Sequence, residues 1–166
     1  MFIENIRPEN IKDCAEIYNR YVLESVFTLE EEVLTEDEYK KRVEGVKANN
    51  YPFIVAKDDG GKVIGFAYLD FFNPRVGYRH TADLSIYVSA DCRQQNVGGE
   101  MLAHIEKLAL NMGITNIISI ITSENEASCR FHEKHGFLLE GKLQNVAVKF
   151  GKILSVSYYR KPIGEE

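Results

Sequence analysis

The stretch from Ala90 to Leu102 reads ADCRQQNVGGEML and joins an apolar strand pattern over 84–88 to a helical pattern. The first backbone N–H groups of a helix have no intrahelical partner, and the macrodipole places about half a positive charge there. Such a terminus suits an anion, a phosphate above all. Gly98 and Gly99 keep a Cβ out of a ligand's way, and Arg93 adds a full charge. The same residues also suit a plain strand-to-helix turn capped by Asn96. Asn96 stands where a phosphate cradle would have its first glycine, and Asn is the non-glycine type best able to adopt positive φ.

The elements that must position this loop follow from the rest of the chain. Its 166 residues, 45% hydrophobic and 27% charged, suffice for a single domain with a real core, over 1–166. A net charge of −5 argues against a nucleic-acid binder, though a local site can still be positive. No run approaches the ~20 apolar residues of a membrane span, and the N-terminus is charged by Glu4, unlike a signal peptide. Cys14, Cys92 and Cys129 fit neither a disulfide framework nor a zinc site, which points to the cytoplasm.

Residues 2–7 read as a strand, and Ile11, Ala15, Tyr18 and Val22 mark a helix face. A polar loop spans 25–34. Thr35 and Glu38 have capping-box spacing ahead of a helix to about Lys47. Asp58-Asp59-Gly60-Gly61 joins two strands as a hairpin, and residues 81–88 form another strand. Val97, Met101, Ile105, Leu108 and Met112 share a helix face that Gly113 is placed to end. The continuous apolar run 116–121 predicts a strand buried on both faces. A short helix over 126–135 and two final strands complete a β-α-α-β-β-β-α-β-α-β-β order, a mixed α/β fold with helices on both faces of the sheet.

The cluster over 124–137, ENEASCRFHEKHGF, adds a second signal. With it the chain resembles the GNAT superfamily of N-acetyltransferases. That superfamily has an Arg/Gln-x-x-Gly-x-Gly/Ala loop holding the pyrophosphate of acetyl-CoA, and Arg93 to Gly98 fall on it. It also has an Asn-x-x-Ser/Ala-x-x-x-Tyr/His-x-x-x-Gly-Phe pattern, matched by Asn125, Ser128, His132, Gly136 and Phe137. Tyr78-Arg79-His80-Thr81, Lys149-Phe150-Gly151 and the segments around them resemble the phosphinothricin acetyltransferase branch, over nearly the full length. Three positions depart from the pattern: Asn96 for glycine, Asp83 for that branch's glutamate base, and Ile153-Leu154-Ser155 for a Trp-containing triplet ending in Asp.

The resemblance implies a GNAT-type, mostly antiparallel central sheet, acetyl-CoA as cosubstrate, no metal, and a homodimer. It implies cofactor contacts from Tyr87, Val88, Arg93, Gln94, Gln95, Asn96, Val97, Gly98, Gly99, Asn125, Ser128, Phe131 and His132, with a backbone N–H near Val88 as oxyanion donor. Acetyl transfer to an amine needs a base, and Asp83 is the candidate, acting through a water because it is one methylene shorter than Glu. His80 is the alternative base. His132 takes the place of a thiolate-protonating tyrosine, while His104 and His135 read as surface residues. An amino-acid carboxylate needs a cation, for which Arg75, Arg79 and Lys149 are candidates; Phe27, Phe71 and Tyr78 could form an apolar wall, with His80 beside them. The expected activity is N-acetylation of a small amino acid or analogue, of the phosphinothricin or methionine sulfoximine type. The alternatives are a protein or peptide N-terminal acetyltransferase and a non-catalytic acyl-CoA-binding sensor.

Overall fold

A computed structural model describes residues 1–92 and 95–164. Seven strands and four helices run β1 (Phe2–Asn5), α1 (Ile11–Glu24), α2 (Glu36–Ala48), β2 (Phe53–Lys57), β3 (Val63–Phe71), β4 (Thr81–Val88), α3 (Val97–Asn111), β5 (Asn116–Thr122), α4 (Glu126–Lys134), β6 (Leu138–Lys149) and β7 (Lys152–Pro162). The sheet order is β1-β2-β3-β4-β5-β7-β6. Among the described residues only the β4–β5 pair is parallel; the other neighbours are antiparallel, as expected for a GNAT-type sheet.

Strand periodicity sorts the side chains onto two faces. Phe66, Tyr68 and Asp70 of β3 lie opposite Tyr87, Ser85 and Asp83 of β4 and share one face. Helices α1 and α2 cover it through rings: Tyr18 against Tyr87 with centroids 5.4 Å apart, and Tyr39 against Phe66 at 6.0 Å. Helix α3 covers the other face, with Met101 and Val97 lying over Gly65 of β3. The α2 capping box is formed: the Glu38 N–H donates to Thr35 Oγ1 at 3.2 Å, and the Thr35 N–H to Glu38 Oε2 at 2.7 Å.

The loop over 25–34 is fastened at several points. Asn19 exchanges two hydrogen bonds with the Leu34 backbone, at 2.8 and 2.9 Å. Tyr18 and Thr28 hydroxyls meet at 2.9 Å, and Lys149 Nζ donates to the Thr28 carbonyl at 2.7 Å. Phe27 lies in this loop, its N–H donating to Ser25 Oγ at 3.2 Å. Strand β5 departs from the expectation of burial on both faces, because Ile120 is 45% exposed. The reason is that β5 parts from β4 before reaching it.

Candidate active site

The parallel ladder between β4 and β5 is three residues long: Thr81, Ala82 and Asp83 lie opposite Asn116, Ile117 and Ile118. Beyond that point β4 stays with β3 as far as Val88, and β5 stays with β7 as far as Thr122. The two strands therefore splay into a V with Asp83 at its apex. The gap is a cavity of about 580 Å³, walled by Leu84 to Val88, Ser119 to Ile121, Tyr21, Phe27, the start of α3 and one side of α4.

Main-chain alternation decides which polar groups face the gap. The Ser89 N–H donates to the Ile64 carbonyl at 2.8 Å, so the backbone groups of residues 85 and 87 face β3. Those of Ile86 and Val88 then face the gap. The Val88 carbonyl takes the Tyr21 hydroxyl at 2.6 Å, which leaves its N–H on the cavity side.

At the mouth of the V, Asn96 adopts φ 56° and ψ 23°, so the left-handed turn expected of it is made without glycine. Its side chain does not cap α3; it folds over Gly99 instead. A Cβ on Gly99 would come 2.5 Å from Asn96 Oδ1, and one on Gly98 would come 3.2 Å from the Phe131 ring. A side chain at either position would press on a neighbouring one, Asn96 or Phe131. Val97 is fully buried against β3, so only its backbone can reach a ligand. Gln95 is exposed and outside the cavity wall. Arg93 and Gln94 lie outside the described residues.

Helix α4 supplies the facing wall. The Asn125 side chain caps it by accepting from the Ser128 N–H at 3.2 Å. His132 is 2% exposed, with Nδ1 at 2.8 Å from the Ser128 carbonyl, which makes Nδ1 the protonated nitrogen. Burial pushes its pKa down to about 4. The ring is therefore neutral, and Nε2 carries a lone pair and no proton. In this state His132 Nε2 can accept a hydrogen bond from a ligand, and a general-acid role would require it to take up a proton first. His135, expected at the surface, lines the cavity with Arg130 and Lys134. Arg130 and Lys134 are spaced i, i+4, a periodicity visible in the sequence but not singled out there.

Four buried side-chain polar atoms lack a partner among the described residues, and three of them surround this cleft: Asp83 Oδ1, Ser119 Oγ and His132 Nε2. Burial, and after it the charge of Asp70, push the Asp83 carboxyl up to about 7. Asp83 lies one residue below the cavity wall, which begins at Leu84. That offset suits action through a water.

Several expected substrate contacts are elsewhere. Phe71 packs on Tyr51, with centroids 5.2 Å apart, and is 44% exposed. Tyr78 packs on Phe72. Arg75, Tyr78 and Arg79 lie in the exposed segment before β4, at the closed end of the V. His80 is there too, with Nδ1 2.7 Å from the Gly113 carbonyl. That position removes it as the alternative base. Lys149 is fully buried with its ammonium on the Thr28 carbonyl, so it anchors the loop and is not open to a substrate carboxylate. Phe27 does line the cavity. Tyr21, Ser85 and Ser119 line it as well and carried no signal in the sequence.

A splayed parallel pair, a helix N-terminus at its mouth and unpaired backbone groups between them fit an extended ligand with a phosphate end. Residues 3–154 match the family model described as acetyltransferase (GNAT) domain. The chain belongs to this family. A phosphinothricin acetyltransferase of Sinorhizobium meliloti, solved in complex with acetyl-CoA, superposes with a TM-score of 0.94 at 30% identity, covering 99% of this chain and 89% of that one. The ribosomal-protein-alanine N-acetyltransferase of Brucella melitensis also gives 0.94, at 27% identity, over 98% of this chain and 100% of that one. The L-methionine sulfoximine/L-methionine sulfone acetyltransferase of Salmonella typhimurium is 28% identical over 163 residues, 96% of this chain and 95% of the relative. The protein is an acetyl-CoA-dependent N-acetyltransferase.

Proposed function

We propose that this enzyme acetylates the amine of a small amino acid or analogue, of the phosphinothricin or methionine sulfoximine type, with Asp83 as the base. The observation that carries the reading is Asp83 at the apex of the V, with Oδ1 buried and without a partner among the described residues. Bound acetyl-CoA supplies a thioester carbonyl and a thiolate leaving group. The α3 terminus with Gly98 and Gly99, and Arg130 and Lys134 across the mouth, would hold the pyrophosphate. Ile86 would pair its backbone groups along the pantetheine arm, and the Val88 N–H would polarise the thioester carbonyl. Ser119 Oγ and His132 Nε2 would find partners there. Asp83 would take one ammonium proton through a water, leaving an amine free to attack. The proton that the new amide nitrogen sheds balances the one the thiolate gains.

The acceptor enters beside Phe27, Tyr21, Tyr87 and Ser85, on the α1 side of the sheet. The fastened 25–34 loop narrows that side, which favours a small amine over a chain terminus. The Brucella relative's name motivates the second reading, acetylation of a protein N-terminus. Thiol release with phosphinothricin and methionine sulfoximine, beside an alanine-initiated peptide, separates the two. Turnover of the small amines with loss of at least ~100-fold in Asp83→Asn is expected, with acetyl-CoA affinity kept. Turnover only of the peptide favours the second reading, and acetyl-CoA binding without turnover of any amine identifies a sensor.

A single acetyltransferase domain over the whole chain, a cytoplasmic location and a homodimer belong to the same reading. Among the described residues no helix is long and apolar enough to cross a membrane. The edge strand β6 supports a dimer, since Leu138, Leu139, Leu143, Val146 and Val148 are all 49% exposed or more. An apolar edge of that length is a surface that soluble proteins cover. Sedimentation showing only monomer at micromolar concentration would refute it.

A further inference from the structure

Asp70 and Asp83 are direct cross-strand partners on β3 and β4, on the face that α1 and α2 cover. Directly opposite residues hold their Cβ atoms about 5 Å apart, and like charges so placed repel. Asp is a poor strand former, so strand propensity does not account for its place opposite a buried carboxylate. We propose that Asp70 is a positioning residue for Asp83, a second carboxylate that holds the base in the proton-accepting range of neutral pH. The inference rests on the base reading of Asp83.

The two carboxylates are not equivalent. Asp70 Oδ1 accepts the Phe71 N–H at 2.8 Å, and Asn49 Nδ2 lies 3.5 Å from the same oxygen. Asp70 Oδ1 thus has a backbone donor on it and a side-chain amide nearby. Asp83 accepts the Leu84 N–H, but its Oδ1 is buried without a partner. Asp83 is the member of the pair with a buried oxygen that lacks a donor. Burial raises its pKa first, and the Asp70 charge adds to that. An ammonium substrate then passes one proton to the Asp83 carboxylate, giving a neutral amine and a neutral carboxylic acid. A base of ordinary strength would be a much poorer acceptor for that proton.

The surrounding groups do not cancel this pairing. Tyr68 of β3 shares the face, and its own pKa is raised, by burial first. From α1 come Tyr18 and Tyr21, the latter on the Val88 carbonyl. From α2 come Tyr39 and Arg42, and Arg42 is bound to Glu30 of the loop. Tyr51 packs on Phe71 beside Asp70. From β7, Arg160 lies opposite Ile118, held by Glu140 at 2.6 Å and Asn116 at 2.9 Å. Among the described residues neither Asp70 nor Asp83 is in an ion pair.

The test reads Asp83 directly. Protein carrying carbon-13 at the Asp side-chain carboxyls is titrated by NMR, with the Asp83 signal assigned from Asp83→Asn. In Asp70→Asn and Asp70→Ser the Asp83 midpoint is expected to fall by roughly 0.5–1 pH unit, yet to stay above that of an exposed Asp because burial remains. The acid limb of kcat/KM for methionine sulfoximine should move by the same amount, since the substrate's own ionisation is common to all variants. An unmoved midpoint in both variants overturns the proposal. If Asp83→Asn turns over as fast as the parent, the base reading fails, while the NMR midpoints still decide whether Asp70 acts on Asp83.

Discussion

Asp83→Asn is expected to stabilise the protein, and only above a particular pH. The folded carboxyl titrates at about 7, because burial and then Asp70 disfavour its charge. In the unfolded chain an Asp titrates near 3.9. Between these values the folded state holds a proton that the unfolded state has released, so stability falls as pH rises through this window. Below pH 4 both states are protonated and nothing is lost. Above pH 7 the folded state contains a buried carboxylate. At ~1.4 kcal/mol per pH unit the full gap amounts to ~4 kcal/mol, and water reaching the cleft lowers the expected figure to on the order of 2–4 kcal/mol. Asparagine has nearly the same shape and no charge. Urea unfolding of both proteins from pH 4 to 8.5 measures the difference at each pH, where all other groups cancel. The advantage of Asn should be small at pH 4, grow to pH 7 and then level off. Any fixed packing defect of the amide only offsets the whole curve. Two unfolding free energies that keep a constant separation across this range would refute the reasoning.

Other outcomes follow from the cradle and its facing wall. Asn96→Ala places a residue with no special tolerance at φ 56°, and should cost about 1 kcal/mol in thermal or urea unfolding, while Asn96→Gly should be neutral or better. Calorimetric titration of Asn96→Gly with acetyl-CoA should then give an affinity equal to or above the parent's. Gly98→Val drives carbons into the Phe131 ring, already 3.2 Å from a Cβ at that site, and should weaken acetyl-CoA at least ~10-fold while the circular dichroism of the fold persists. Arg130→Ala with Lys134→Ala should weaken acetyl-CoA several-fold at low salt, and should flatten the salt dependence of binding, because the contribution lost is between exposed charges.

The elements were legible because their signals are local. The face of Ile11, Ala15, Tyr18 and Val22, the Thr35–Glu38 box and the Asp-Gly hairpin each lie within about three turns of chain. The left-handed Asn96 was legible for the same reason, since φ preference belongs to the residue itself. Asn125, Ser128, Phe131, Gly98 and Gly99 lie in or beside the two motifs of fixed spacing, and the structure places all five on one cavity. Asp83 was legible as a candidate through resemblance. Its buried, unpartnered oxygen was not, because burial is a property of what packs around a strand.

What the sequence determined by itself was the element order, the glycine-flanked helix terminus and the identity of the groups available for chemistry. Tertiary structure alone decided which of those groups meet. The β4–β5 ladder ends after Asp83, and that single point of divergence makes the cavity, exposes Ile120 and turns the backbone of Ile86 and the Val88 N–H to the gap. It also turns His80 and the arginines before β4 to the closed end of the V. Lys149 and Thr28 are 121 residues apart in sequence and meet at 2.7 Å; Asp70 and Asp83 face each other only because β3 and β4 pair in one register. Charge, hydrogen bonding and desolvation act over a few ångströms of space, and separation along a folded chain does not record that distance.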